Sequence, residues 1–327
     1  MSNIFEGKKI LVTGGTGMIG MSLVRMLVEK QAEVTIVSLD DLGRTPRGAS
    51  LRCLDLRNFD NCLRVCDGID YVFHLAGVKG SPDMTRKQPA SFFVPTLMFN
   101  TNMIEAARIC GVNRFLYTSS IGVYAPAEIF YEDDVWKTFP SENDKFAGWA
   151  KRMAELQIEA YKIQYNLHNF VTVRPANVYG NYDNFDTNNA MVIPSLINRA
   201  LKENPLVVWG DGSAIRDFIH ADDVARGMML VIEQMPDKPV NLGSGIGYSI
   251  KELVEIIVNN LEIKPEVMWD ITKPSGDRKR LMDITRAKAL GFELQISLEE
   301  GVKDTIEWYR EIGHLIKGRY SAFMENK

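Results

Sequence analysis

The sequence has little of what marks several large classes of protein. Its four cysteines form neither a metal-binding pair nor a disulfide framework, so we expect reduced thiols in a cytoplasmic protein without a metal site. No stretch approaches the roughly 20 apolar residues of a membrane span, and residues 1–10 lack the apolar core of a signal peptide. The net charge of −4 gives no reason to expect nucleic acid or an acidic membrane as a partner. The 327 residues, 46% of them hydrophobic, suffice for a globular protein with a sizeable core.

A glycine-rich turn lies between the first predicted strand and the first predicted helix. Residues 8–12 are a short run of apolar, branched residues, and residues 18–30 repeat apolar side chains at helical spacing. In such a turn Gly14 permits the tight bend, Gly17 lets the backbone approach a pyrophosphate, and Gly20 lets helix and strand pack closely. Free N–H groups at the helix N-terminus favour phosphate oxygens. We therefore predict a dinucleotide site that includes Gly14, Gly17, Met18, Ile19 and Gly20.

A carboxylate follows the second predicted strand at the spacing that dinucleotide sites use. Residues 33–39 form another apolar run, and Asp40 lies twenty residues beyond Gly20. A carboxylate there accepts hydrogen bonds from the adenosine ribose hydroxyls and repels a 2′-phosphate. Asp40 thus favours NAD over NADP, while the nearby Arg44 weakens this preference.

Predicted strands and helices alternate along the first half of the chain, which favours a parallel sheet with helices on both faces. The strands fall near residues 8–13, 33–39, 51–54, 70–75, 113–119 and 169–174, and the helices near 18–30, 58–66, 92–110 and 146–165. Such α/β, Rossmann-type doubly wound sheets bind ligands at the carboxyl ends of their strands. We therefore predict that cofactor contacts follow two of these strands, at Asp55, Leu56, Leu75 and Ala76.

The composition changes after residue 175, where loops rich in Asn, Asp, Gly and Pro separate shorter elements. We predict an NAD-binding domain over residues 1–175 and a smaller, intermixed substrate lobe over residues 176–327. The elements near residues 206–242 are expected to rejoin the first domain.

Four ordered motifs give the sequence a resemblance to a known family. They are the glycine turn, Thr118-Ser119-Ser120 ahead of Val123-Tyr124, Gly148-Trp149-Ala150-Lys151, and Arg174-Pro175. With them the chain resembles the extended short-chain dehydrogenases/reductases, which are NAD(P)-dependent nucleotide-sugar epimerases, dehydratases and reductases. Residues 177–210 and 273–283 are similar to the GDP-L-fucose synthase branch of that family, which implies a GDP-linked sugar as the substrate.

The resemblance implies catalytic roles for two residues. In this family a tyrosine is the acid/base, and a lysine four residues later on the same helix face lowers its pKa and holds the nicotinamide ribose. A serine or threonine hydroxyl orients the substrate. Ser120 and Lys151 match the serine and the lysine, and Pro175 matches a cofactor contact.

The family's tyrosine position falls on Ala147, which cannot carry a proton. Two interpretations remain open. Alanine can stand there by a deliberate substitution that traps a complex, which we favour because the surrounding motif is otherwise intact. Alternatively, a natural member of the family has abandoned catalysis or moved the base elsewhere, with Tyr124, Tyr179 and Tyr182 as candidates.

Further departures from the family pattern narrow the predicted reaction. The fucose synthases epimerise C3 and C5 with a cysteine and a histidine, and those positions are Gly122 and Met191 here. The dehydratases use an Asp-Glu pair where this chain has Ile121-Gly122. Oxidoreduction at C4 remains, by a 4-dehydrogenase or a 4-epimerase. The alternatives are a GDP-4-keto-sugar reductase and a catalytically silent nucleotide-sugar-binding protein.

The resemblance also implies substrate contacts and an assembly. The matching substrate positions are Asn177, Val192, Arg199, Trp209, Arg216 and Arg278, with Lys279 and Arg280 as rivals of the last. Arginine suits phosphate because its planar fork binds two oxygens at once. The family often dimerises through the helix of the catalytic pair and its neighbour, so we expect a homodimer or higher homo-oligomer through residues 92–110 and 146–165.

Overall fold

The computed structural model describes residues 3–78, 80, 82–273, 276–316 and 319–323. Its first half alternates strands and helices within three residues of the predicted bounds, with two short additional elements, α3 and β6. In chain order these are β1 (Lys9–Thr13), α1 (Met18–Glu29), β2 (Glu33–Ser38), β3 (Ala49–Cys53), α2 (Phe59–Cys66), β4 (Tyr71–His74), α3 (Pro82–Lys87), α4 (Pro89–Ile109), β5 (Arg114–Thr118), β6 (Ile129–Phe130), α5 (Lys145–Tyr165) and β7 (Phe170–Pro175).

The second half consists of shorter elements separated by longer loops. They are β8 (Asn177–Tyr179), α6 (Val192–Ala200), β9 (Leu206–Trp209), β10 (Ile215–His220), α7 (Ala221–Gln234), β11 (Val240–Leu242), β12 (Gly247–Ser249), α8 (Ile250–Asn259), β13 (Val267–Asp270), β14 (Lys279–Met282), α9 (Thr285–Ala289) and α10 (Leu298–Glu311).

The central sheet contains seven parallel strands in the order β11-β7-β5-β4-β1-β2-β3. Successive side chains of β1 enter two different apolar layers. Ile10 and Val12 pack with residues of α1 and α7, whereas Leu11 packs with residues of α2, α4 and α5. Because helices cover both faces, the strands at the centre of the sheet, β1, β4, β5 and β7, bury side chains on both faces. The predicted Rossmann-type α/β fold is confirmed.

The elements near residues 206–242 divide between the central sheet and two smaller sheets. α7 packs in the first apolar layer, and β11 pairs in parallel with β7. By contrast, β9 pairs with β13, and β10 lies between β12 and β14 in a separate sheet. Residues 221–242 therefore lie with the central sheet, whereas β9 and β10 belong to smaller sheets. The buried Asp217 of β10 accepts hydrogen bonds from the backbone N–H groups of Ser244 and Met282 and so links this strand to the second lobe.

The second lobe has an apolar core of its own, in which residues of α6, α8 and α10 pack together. Within the described ranges, no helix combines the length and apolar character that crossing a membrane requires.

Candidate active site

A cleft of about 1020 Å³ runs along the carboxyl ends of the central strands and is lined by residues of both lobes. Ser120 and Ala147 line it. So do all the residues predicted as cofactor contacts, which are Gly14, Gly17, Met18, Ile19, Gly20, Asp40, Asp55, Leu56, Leu75, Ala76, Lys151 and Pro175. Most of these residues come together because they follow parallel strands whose carboxyl ends share one edge of the sheet.

The glycine turn has the geometry of an anion cradle. Gly14 has a φ of +69°, which favours glycine, and a Cβ on it would lie 3.0 Å from the backbone of Ala76. A Cβ on Gly20 would collide with the carbonyl oxygen of Gly14. Gly17 is the N-cap residue of α1, and within the described part of the chain no side chain caps the N-terminus of this helix. Its first N–H groups are therefore available to a pyrophosphate, which fits a dinucleotide.

Asp40, which follows β2, is surrounded by donors and is only 8% exposed. Its carboxylate accepts hydrogen bonds from Thr16 Oγ1 and from the backbone N–H of Tyr320, each at 2.7 Å. Arg44 Nε lies 3.5 Å from the same carboxylate, so the two residues with opposed effects on cofactor choice form an ion pair. Sequence reasoning missed Thr16, although its hydroxyl lies within the glycine turn. It also missed Tyr320, which is 280 residues from Asp40 and has no local signal.

Lys151 reaches the end of β5 from α5. Its Nζ donates to the carbonyl oxygen of Thr118 at 2.7 Å. Burial lowers the pKa of Lys151 to about 8, against an opposing effect of Glu155. Ser120 Oγ accepts the N–H of Gly122 at 3.1 Å, which leaves the serine O–H available as a donor. A hydroxyl and an amine that titrates near neutral pH thus border the cleft together with the methyl group of Ala147.

A buried chain of hydrogen bonds supports this part of the cleft from behind. His74 lies 2.7 Å from Thr13 Oγ1 and 2.9 Å from Asn100 Oδ1 through its two ring nitrogens. Asn100 then donates to Tyr117 Oη at 3.2 Å, and that hydroxyl donates to the carbonyl oxygen of Lys151 at 3.4 Å. Burial lowers the pKa of His74 to about 3, so its ring is neutral and structural.

The three tyrosines considered as replacement bases have other roles, and we discard them. Tyr124 is 2% exposed and donates to Asn241 Oδ1 at 2.6 Å, and burial raises its pKa to about 12. Tyr179 borders the cleft, but its hydroxyl donates to the carbonyl oxygen of Ser297 at 3.4 Å. Tyr182 packs on Trp308 with ring centroids 4.9 Å apart.

Asp144 is a cleft residue that sequence reasoning missed. It lies three residues before Ala147, at the start of α5, and it lines the cleft together with Ser120. A Cβ on Gly122 would lie 3.5 Å from both Ser120 Oγ and Asp144 Cβ, so the glycine leaves space between these polar side chains. Arg280 Nη2 lies 3.0 Å from Asp144 Oδ2, and the two side chains form an ion pair. Arg280 is one of the three cations considered for the diphosphate.

The predicted substrate contacts are less concentrated than the cofactor contacts. Asn177 and Val192 line the cleft. The described lining does not include the other four, Arg199, Trp209, Arg216 and Arg278.

These four residues have varied surroundings. Arg199 pairs with Glu203 at 2.9 Å, and Arg216 donates to the carbonyl oxygen of Asp277 at 2.7 Å. Trp209 is 62% exposed, and Arg278 is also exposed. Their roles as substrate contacts stay predictions.

Comparisons with known proteins relate this cleft to a family. Residues 10–243 match the NAD dependent epimerase/dehydratase family. The chain is 31% identical over 317 residues to a putative GDP-L-fucose synthase 2 of Arabidopsis thaliana, with 94% of this chain and 93% of the relative covered. A solved epimerase from Methanothermobacter thermautotrophicus has a TM-score of 0.84 at 28% identity, with 96% of this chain and 95% of that one covered. A UDP-glucose 4-epimerase from Thermotoga maritima, solved with UDP-glucose, has a TM-score of 0.82 at 28% identity, with 93% and 99% covered.

Proposed function

The chain belongs to the NAD dependent epimerase/dehydratase family, and we propose that it performs NAD-dependent oxidoreduction at C4 of a GDP-linked sugar. The observation that carries this proposal is the single cleft lined by the glycine turn, Ser120 and Lys151. The turn suits a dinucleotide, and the hydroxyl and amine suit a sugar carbon that exchanges a proton. Gly122 and Met191 offer no proton donor for epimerisation at C3 and C5, and the resemblance to the family favours oxidoreduction at C4.

The chain's own residues have to orient the sugar and move the hydroxyl proton. A bound nicotinamide would supply the acceptor or donor of the hydride. Ser120 donates its O–H to the reacting oxygen. The neutral amine of Lys151 takes the proton of the C4 hydroxyl as the C4 hydrogen leaves with its electron pair. With a pKa of about 8, Lys151 is present in both protonation states near neutral pH and also serves the reverse direction. The methyl group of Ala147 can neither donate nor accept a proton, so we expect slower turnover than with the family's tyrosine at this position.

We propose NAD rather than NADP as the cofactor. Asp40 keeps a negative charge at the end of β2, where the fold binds the adenosine ribose. The positive charge of Arg44, which would attract a 2′-phosphate, is already paired with that carboxylate.

We propose GDP as the nucleotide because residues 177–210 resemble the GDP-L-fucose synthases and because of the 31% identity to the plant relative. UDP is the second candidate, since the Thermotoga maritima enzyme was solved with UDP-glucose. Calorimetric titration of the purified chain with GDP, UDP and CDP tests the assignment. We expect GDP to bind most tightly. Tighter binding of UDP would contradict the proposal of a guanine base, while the proposal of a nucleoside diphosphate would stand.

Product analysis distinguishes the possible C4 reactions. The chain and its Ala147→Tyr variant are incubated with GDP-mannose-type sugars and NAD. Net formation of NADH indicates a 4-dehydrogenase, and a new epimer without net NADH indicates a 4-epimerase. NADH-dependent consumption of a GDP-4-keto-sugar indicates a reductase. Nucleotide-sugar binding without turnover in either protein would indicate a silent binding protein.

We also propose a homodimer through α4 and α5. These helices share one apolar layer and carry exposed apolar side chains, namely Val94, Met98, Phe146 and Leu156. A second copy of the chain would remove these side chains from water. Sedimentation of the purified chain tests the assembly, and a monomer at micromolar concentration would reject it.

A further inference from the structure

Residues 319–323, which we call the C-terminal strap, border the cofactor end of the cleft. Residues 319–322 line the cleft together with the glycine turn and Asp40. Ala322 is 6% exposed and Phe323 is 2% exposed, although they lie near the end of the chain. Burial of this degree shows that the strap is packed against the rest of the protein.

Contacts at both ends hold the strap in place. At its start the backbone N–H of Tyr320 donates to Asp40 Oδ1 at 2.7 Å. At its end the ring of Phe323 lies against Gly80, where a Cβ would come within 2.6 Å of Phe323 Cε2. The same Cβ would lie 3.6 Å from Asn189 Oδ1. The strap therefore connects the carboxylate after β2 with Gly80, in the loop between β4 and α3, close to Asn189 of the second lobe.

The first contact involves the group that we expect to bind the adenosine ribose. Asp40 accepts hydrogen bonds from Thr16 and from Tyr320 through different carboxylate oxygens. An ionised carboxylate has about four lone-pair sites, so these contacts fix its orientation and leave capacity for a ribose hydroxyl. A ligand oxygen thus meets an acceptor that is already oriented.

The charge of the strap also suits a dinucleotide. Burial lowers the pKa of Arg44, the carboxylate of Asp40 opposes this effect, and the nearby positive charge of Arg319 adds to it. Arg44 is paired with Asp40 and also lies near the charge of Asp41, so Arg319 is the cation that the strap itself adds to this group. The diphosphate of a dinucleotide carries negative charge, which Arg319 attracts.

We propose that the C-terminal strap is part of the cofactor site, in which Tyr320 orients Asp40 and Phe323 anchors the strap over the adenosine end. Tyr320 and Phe323 are positioning residues, and their effect is to slow the release of the bound dinucleotide. This inference rests on the proposed function only in that the cleft binds a dinucleotide. Slow release is what a 4-epimerase needs, because it returns the hydride from the same cofactor molecule.

The test measures release of NADH by stopped-flow fluorescence, with excess NAD as the displacing ligand. Tyr320→Pro removes the N–H donor, whereas Tyr320→Ala removes the ring and keeps the donor, so the pair isolates the hydrogen bond to Asp40. Phe323→Ala removes the ring that packs on Gly80. The matched control is Phe139→Ala, because Phe139 is 76% exposed and lies outside the described lining of the cleft. We expect Tyr320→Pro and Phe323→Ala to speed NADH release about tenfold. Tyr320→Ala and Phe139→Ala should change it less than threefold.

Two further measurements separate the possible failures. GDP affinity should stay unchanged in all four variants, because the contacts described for the strap are with Asp40 and Gly80 and not with a predicted GDP residue. Phe323→Ala should lower the thermal unfolding midpoint, because Phe323 is 2% exposed and its loss leaves a cavity. Release is therefore measured well below the midpoint of each variant. Release at the wild-type rate from Tyr320→Pro and Phe323→Ala, or slower release from either, would overturn the strap as a retaining element. Absence of NADH binding to the unmodified chain would overturn the proposed function, and the strap with it.

Discussion

The two halves of the cleft are built on different principles. In the cofactor half, most contact residues follow neighbouring strands of one parallel sheet, so their order along the chain determines their place in space. The predicted substrate contacts come from β8, α6, β9, β10 and the loop before β14, which are separate small elements, and of these contacts only Asn177 and Val192 line the described cleft. Contacts such as the hydrogen bond from Arg216 to Asp277 hold these elements together. The cofactor half is therefore determined by local pattern, and the substrate half by tertiary packing.

The two halves also differ in how firmly their functional groups are held. Lys151 is backed by the buried chain that runs through Tyr117 and Asn100 to His74. Arg278 is exposed, so water and counterions weaken the effect of its charge. Trp209 carries no charge, and its exposed ring is not held by surrounding side chains on most of its surface. We therefore expect substitutions beside Lys151 to have large effects and substitutions in the substrate half to have small ones.

The largest effect is expected from Ala147→Tyr. The phenol would lie one helical turn before Lys151 and beside Ser120, where it supplies the general acid/base that the family uses. A positioned general base contributes about 10²–10⁴-fold, so single-turnover hydride transfer should rise by that factor while GDP affinity changes little. Stopped-flow absorbance of NADH measures the rate.

The matched control is Ala127→Tyr, at an exposed position outside the described lining of the cleft. It should leave the rate unchanged. If the unmodified chain already transfers hydride rapidly and Ala147→Tyr does not raise the rate, Lys151 is a sufficient general base or Asp144 moves the proton.

The second effect concerns Lys151 and pH. Lys151→Met should reduce sugar oxidation about 100-fold and weaken NAD binding, because the residue is proposed to serve both. In the unmodified chain, oxidation should increase as pH rises through about 8, since the pKa of Lys151 lies there and the neutral amine is the base. The variant should lose this pH dependence. Lys145→Met, at an exposed position on the same helix, is the control. An unchanged pH profile in Lys151→Met would assign the proton to another group.

Sequence reasoning succeeded where periodicity and spacing carry the information. The strands ending at Thr13 and His74 bury side chains on both faces, so the sheet and the cleft edge follow from them. It failed where a residue's partner is distant in sequence. Asp217 draws β10 into the second lobe, and Tyr320 reaches Asp40 across 280 residues. Such contacts form only in the folded chain and leave no periodic trace in the sequence.

A tenfold effect is expected at Asp40, in the cofactor half. NAD should bind at least tenfold more tightly than NADP, since about 1.4 kcal/mol of charge repulsion is enough for that ratio. Asp40→Ala should relax the ratio because it removes the repulsion and frees Arg44 to meet a 2′-phosphate. Asp41→Ala, at the exposed neighbouring position, should keep the wild-type ratio. Fluorescence titrations with both reduced cofactors measure it, and equal dissociation constants in the unmodified chain would contradict the assignment.

The smallest effect is expected in the substrate half, at Arg278. Because this side chain is exposed, an ion pair with a diphosphate contributes about 0.2–1 kcal/mol, which is a factor of roughly five or less in GDP affinity. Arg216 is half-buried and already donates to the carbonyl oxygen of Asp277, so its guanidinium is better fixed. Arg216→Ala should therefore weaken GDP binding more than Arg278→Ala does.

Calorimetry at low and high salt separates the contributions of the two arginines to GDP affinity, because salt screens the exposed contact of Arg278 more strongly. A larger loss in Arg278→Ala would show that the diphosphate lies closer to Arg278, on the exposed side, than to Arg216.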